Sequence, residues 1–239
     1  MSVSERIEQI QHKLLRLQQT GIQYVYFRHR TEPCSYALNP SASVAEVELF
    51  EQTHGITLPE GYREFLLKIS NGSSAGPYYG FYHLDSATHR YLEQFDPDYL
   101  KKPFPLTEEL IFFKYCSQGE GFAEWTYKRE DEEYRKYVDE RARQLCSPFY
   151  VRGTIELSHY GCGIFFFLVV NGQEYGNVWV SDITNEGGIF PLRLSKTNPA
   201  RVDFLTWYEM WLDHNLREID EDRKIDDYSY WSDYWWLQE

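Results

Sequence analysis

Residues 153–192 read GTIELSHYGCGIFFFLVVNGQEYGNVWVSDITNEGGIFPL, and they hold the longest apolar run and the densest turn punctuation of the chain. Thr154 to Ser158 alternates polar and apolar, with Ile155 and Leu157 on one side, which predicts a strand buried on one face. Gly161 and Gly163 bracket Cys162, and Ile164 to Val170 is apolar throughout. That run is short for a helix and rich in strand formers, so it reads as a fully buried central strand. Asn171-Gly172 ends it and supplies the positive φ of a tight hairpin turn. A further strand follows Gly176, with Val178 and Val180 on one face and Trp179 on the other, and Gly187-Gly188 turns the chain before Ile189 to Leu194. Successive antiparallel strands form a meander, and a meander needs helices over one face. The expected fold class is α+β, a mainly antiparallel sheet covered by helices.

Those helices are legible upstream. Ser2 and Glu5 form a capping box, and Val3, Ile7, Ile10, Leu14 and Leu17 recur on one face of a helix over 3–19 that Gly21 ends. Two heptads fall short of a coiled coil, so this helix is expected to pack on its own domain. Ile22 to Phe27 reads as a short strand and Thr31 to Ser41 as a loop. Ser43 and Glu46 repeat the capping box, Val47 and Phe50 face inward, and Gly55 sits where a helix stops. Leu58-Pro59 restarts the chain, and Tyr62, Phe65, Leu66 and Ile69 form the next apolar stripe before Asn71-Gly72. After Asn198-Pro199, read as a helix entry, Leu205, Tyr208, Leu212, Leu216 and Ile219 line one face of a last helix. Between the blocks, Tyr91 to Pro105 reads as a short helix and a proline-rich link, Leu110 to Tyr115 as a strand, and Arg129 to Leu145 as a charged helix.

The whole composition bounds function. The chain has 239 residues, 42% hydrophobic and 18% aromatic, with no apolar stretch near the roughly 18 residues a membrane span requires. Its amphipathic N-terminus is not a signal peptide, and Cys34, Cys116, Cys146 and Cys162 show no metal or redox spacing, so a cytoplasmic location with free thiols is expected. A formal net charge of −13 disfavours direct nucleic-acid contact, which relies on Lys and Arg displacing counterions, and favours a basic macromolecular partner.

Catalytic equipment is sparse. No P-loop, nucleophile elbow, zinc-protease or dinucleotide motif occurs. The glycine-rich loop 72–80 follows a helix rather than opening one, so it is not a phosphate cradle. His159 and Cys162 stand three apart on a strand and so point to opposite faces. No catalytic residue, metal ligand or cofactor is assigned.

The order Phe50-Glu51, Gly55-Ile56-Thr57-Leu58-Pro59, Tyr62-Arg63-Glu64-Phe65-Leu66 and Asn71-Gly72 resembles the N-terminal signature of the SUKH superfamily, the fold of the Smi/Knr glucan-synthesis regulators. Gly161-Cys162, Leu168 to Gly172, Gly176-x-Val178-Trp179 and Gly187 to Pro191 resemble its second half, and Phe204 to Leu212 resembles the closing helix of bacterial members. The resemblance covers about residues 43–212 and implies a SUKH-like single domain over 1–239, with the N-terminal helix 3–19 and the acidic, aromatic tail 213–239 as extensions. It also implies a non-enzymatic binding protein. Bacterial members are toxin-neutralising immunity proteins and fungal members are tied to cell-wall synthesis.

The tail carries nine acids against three bases from Asp213 onward, a net of −6, together with Trp231, Trp235 and Trp236. The expected partner surface is Asp220, Glu221, Asp222, Asp226, Asp227, Trp231, Trp235 and Trp236, with Tyr78 and Tyr79 on the glycine loop. Acids would meet a basic toxin domain, and aromatic anchors would supply desolvated contact. A regulatory scaffold of the Smi/Knr kind and a glycan-binding protein are the alternatives. No membrane contact is expected.

Overall fold

The computed structural model of the chain describes residues 1–21, 36–73, 76–77, 80–89, 96–110, 132, 136, 148–161, 163–183, 187–195 and 198–221. Its helices are α1 (Val3–Gln19), α2 (Val44–His54), α3 (Glu60–Lys68) and α4 (Phe204–Asp220), and its strands are β1 (Thr154–Gly161), β2 (Ile164–Val169), β3 (Val178–Asp182), β4 (Gly188–Pro191), β5 (Arg193–Ser195) and β6 (Asn198–Arg201). Strands β1 to β4 form an antiparallel meander in sequence order, and β5 and β6 form a separate hairpin. The fold is α+β, as the alternation of 153–192 and the helical stripes predict.

The period-two pattern sorts the sheet into two faces. Ile155, Leu157, Phe166, Leu168, Val178 and Val180 join the large core beneath the helices. Phe167, Val169, Trp179 and Ile189 point the other way and pack on Phe104, whose ring meets Trp179 edge-on at 4.8 Å. The residues of β2 that the sequence reads as a fully buried run are therefore divided between two cores.

The turns differ from expectation in an informative way. Gly161 pairs directly with Ile164, so the tight reversal falls between β1 and β2. Asn171-Gly172 instead opens a longer connection, because Asn171 is held elsewhere: its side chain donates to the Lys101 carbonyl at 2.7 Å and its own carbonyl accepts from the Phe104 amide at 2.8 Å. Nor is Asn198-Pro199 a helix entry. It lies on β6, and the helix begins at Phe204 with Asp203 as N-cap, its carboxylate accepting from the Thr206 amide at 2.7 Å.

Among the described residues, α1, α2, α3 and α4 pack over one face of the sheet, sharing the large core with it. α1 presents Ile7, Ile10, Leu14 and Leu17 to the core and packs on α3 and α4, so it is part of its own fold. α4 is buried well beyond one stripe, with Phe204, Trp207, Tyr208 and Trp211 fully enclosed alongside Leu205 and Leu212. Its Trp207 reaches Phe166 of the sheet at 5.9 Å between ring centroids, while Phe204 and Tyr208 pack on Phe65 of α3. A helix enclosed by α1, α3 and the sheet needs apolar residues around most of its circumference.

Some expectations lie outside the described residues: the strand over 22–27, nearly all of the charged helix over 129–145, Cys162, and the tail beyond Glu221. No described helix is long and apolar enough to cross a membrane.

Candidate protein-binding site

Two segments more than a hundred residues apart in sequence meet in one open cleft of about 650 Å³, lined by Gly55, Ile56, Thr57, Val170, Asn171, Gly172 and Tyr175. The first bank is the corner between α2 and α3. α2 starts at a capping box, with the Glu46 amide donating to Ser43 Oγ at 3.2 Å and the Ser43 amide to Glu46 Oε2 at 2.7 Å. It stops at Gly55, in the left-handed conformation at φ 60°, after which the Ile56 amide returns to the Glu51 carbonyl at 3.0 Å. The Glu51 carboxylate then accepts from the Leu58 amide at 2.8 Å and faces Arg63 at 3.5 Å, which sets the angle at which α3 leaves. This gives the Phe-Glu pair its physical meaning: Phe50 anchors the helix in the core and Glu51 ties off the corner.

The second bank is the connection from β2 to β3. Gly153, Lys101 to Phe104 and Asn171 cross here at close range: the Gly153 carbonyl accepts from the Val170 amide at 2.8 Å, and its own amide donates to the Tyr99 carbonyl at 2.9 Å. Glu174 Oε2 accepts from Asn177, the Trp179 indole and Arg201 at 3.0, 3.3 and 3.1 Å, which fixes the loop. Tyr175 joins the banks by donating its hydroxyl to the Thr57 carbonyl at 3.1 Å, and it remains 44% exposed. Partial burial and the nearby Glu51 charge hold its phenol above the ordinary tyrosine value, so it stays a neutral donor. The lining of two glycines, Ile56, Val170, Thr57, Asn171 and Tyr175 holds aliphatic surface, an amide and a phenol, which suits contact with another molecule. Among the described residues no group of His, Cys, Asp or Glu is arranged to hold a metal ion.

Of the residues singled out in the sequence, Asp220 and Glu221 end α4. Asp220 is ion-paired with Arg16 of α1, and the Glu221 amide caps the helix on the Arg217 carbonyl at 3.0 Å. Asp220 belongs to a ladder between α1 and α4, in which Arg6 meets Asp203 at 2.8 Å and Glu209 at 2.7 Å, and Lys13 meets Asp213 at 2.6 Å. Tyr78, Tyr79, Asp222, Asp226, Asp227, Trp231, Trp235 and Trp236 lie outside the described residues.

Residues 41–196 match the SMI1 / KNR4 family (SUKH-1), more than half of the chain. The chain belongs to this family. The match takes in α2, the α2–α3 corner and the β2–β3 connection, so both banks of the cleft are family segments, and it ends before α4. No curated protein and no solved structure matches the chain. For this SMI1/KNR4 member, sequence reasoning identified the segments that build the cleft without seeing that they meet. The missing signal is long-range: Tyr175 and Thr57 are 118 residues apart.

Proposed function

We propose that this SMI1/KNR4-family chain is a non-enzymatic, single-domain, cytoplasmic protein-binding module that acts as an immunity protein, neutralising a bacterial toxin by direct contact. The observation that carries the reading is the convergence of the family's own segments on an exposed cleft, in a chain of net charge −13. An acidic protein attracts a basic partner at long range, and among toxins a nuclease has the required basic surface, since its substrate is a polyanion. Opposite charge speeds encounter, and buried aromatic or aliphatic anchors slow dissociation. Occupying the toxin's cleft excludes its nucleic acid.

The test is affinity capture from the source organism's lysate at about 0.1 M and about 0.5 M salt, a large change in screening length, with mass spectrometry of what is retained. The reading expects one basic protein, held in a fixed ratio and weakened by salt. Several unrelated host proteins would favour a regulatory scaffold, and retention released by free sugar but indifferent to salt would favour a glycan binder.

A further inference from the structure

Resting on that binding-module reading, we propose that the outward face of α2, with the cleft in which α2 ends, docks a basic amphipathic segment of the partner protein. α2 buries Val47 and Phe50 on one side. Its opposite side carries two rows at four-residue spacing, Val44–Glu48–Gln52 and Ala45–Leu49–Thr53, all exposed. Leu49 is 65% exposed and Val44 53%, on a helix whose only charged residues apart from His54 are glutamates.

Charge selects the occupant. No Lys or Arg occurs between Arg30 and Arg63. Glu46 and Glu48 on α2, with Glu60 at the start of α3, are exposed and make no ion pair among the described residues, whereas Glu51 is paired with Arg63, and Lys101, whose stem lies against Gly55, is paired with Asp98. Asp203, Glu209, Asp213 and Asp220 differ, because Arg6, Lys13 and Arg16 of α1 already neutralise them. An anionic membrane or a nucleic acid would be repelled. So would a second copy of this chain, which brings another −13 and has these α1 cations already engaged. A segment that lays an apolar side chain on Leu49 and flanks it with Lys or Arg matches both features. The rows run toward Gly55 and Thr57, so such a segment continues into the cleft, where Tyr175 offers an aromatic wall.

The experiment titrates the ¹⁵N-labelled full chain with a short synthetic Leu/Lys amphipathic helix, and with the same peptide bearing Glu for Lys. Amide shifts are expected over 44–57 and 171–175 with the Lys peptide and not with the Glu peptide. Glu48→Lys and Leu49→Ser should each weaken binding about tenfold, about 1.4 kcal/mol. Glu8→Lys, on the exposed side of α1 and identical in charge change, should leave affinity within about twofold. Thermal unfolding of each variant checks the fold, and Glu48→Lys alone decides if Leu49→Ser unfolds. Shifts centred on α1 and α4, no binding, or equal weakening by Glu8→Lys and Glu48→Lys would overturn the surface.

Failure of the surface and failure of the function separate cleanly. A captured toxin that binds wild type and Glu48→Lys equally removes the surface and leaves the immunity reading. A peptide that seats on α2 while capture yields no toxin does the reverse.

Discussion

Tyr62 lies fully buried on α3 between Phe81 and Phe204, with ring centroids at 5.9 and 4.9 Å, and its hydroxyl has no hydrogen-bond partner among the described residues. Burial pushes the phenol well above its ordinary value, so it stays neutral and simply unpaired. Tyr62→Phe is therefore expected to be neutral or slightly stabilising, whereas Tyr62→Ala should cost about 3–5 kcal/mol by leaving a cavity; urea unfolding of the two variants measures the contrast. Asp203 carries a pH prediction. Burial alone would raise its carboxyl, but hydrogen bonds from Arg6 and from the side chain and amide of Thr206 outweigh it, and the net shift is downward. A carboxylate held below its unfolded value stabilises the fold above that value and loses its effect as pH falls through the folded one. Asp203 is half exposed, so screening limits the gain, and Asp203→Ala should cost about 1–2 kcal/mol at neutral pH through the lost cap and ion pair. That difference should shrink as the pH falls from about 4 toward 2, read from unfolding midpoints.

Elements carry their own tests, because two glycines hold the cleft by different means. Gly55 needs its left-handed backbone to end α2, and an added Cβ would meet only the movable end of the Lys101 side chain, at 2.6 Å. Gly153 is also left-handed, but a Cβ there would strike backbone: the Lys102 carbonyl at 2.5 Å and the Phe104 amide at 2.8 Å. Gly55→Ala is thus expected to cost about 1–2 kcal/mol, and Gly153→Ala about 4 kcal/mol or more, compared by denaturant midpoint. At this scale much was legible. Both capping boxes, the stripes of α1 and α3, and the split of Val178 and Val180 from Trp179 follow from spacing alone, since each is a local property of helix or strand. Misread features have non-local causes. Asn171-Gly172 looks like a two-residue turn until Leu100 to Phe104 claims its polar groups, and Asn198-Pro199 looks like a helix entry until β5 pairs with β6. The stripe read on α4 was too narrow because local periodicity cannot show how many neighbours surround a helix.

For the whole molecule, the acids among the described residues fall into two groups by their partners. Asp203, Glu209, Asp213 and Asp220 are neutralised by Arg6, Lys13 and Arg16 of α1, and this seam is itself a prediction: Arg6→Ala removes contacts to Asp203, Thr206 and Glu209 and should lower stability by about 1–3 kcal/mol, the range for hydrogen bonds to charged groups. On α2, Glu46 and Glu48 face solvent with no ion pair among the described residues, while Glu51 is paired with Arg63. Composition gave the sign of the total but not this division; the sequence pointed to the tail, where acids are densest, and the tail beyond Glu221 lies outside the described residues. Asp220 illustrates the cost of counting charges without partners, because nothing in its neighbourhood of sequence announces Arg16, 204 residues away. The cleft was hidden for the same reason: its banks were recognisable as family segments, while their meeting depends on the sheet register. The most direct measurement of the central claim is a protection assay in which the captured basic protein is induced in a bacterial host with and without this chain. The account predicts growth arrest with the captured protein alone and recovery when this chain is co-produced, in proportion to complex formed. Arrest that persists despite a formed complex, or a captured protein that harms no cell, would contradict it.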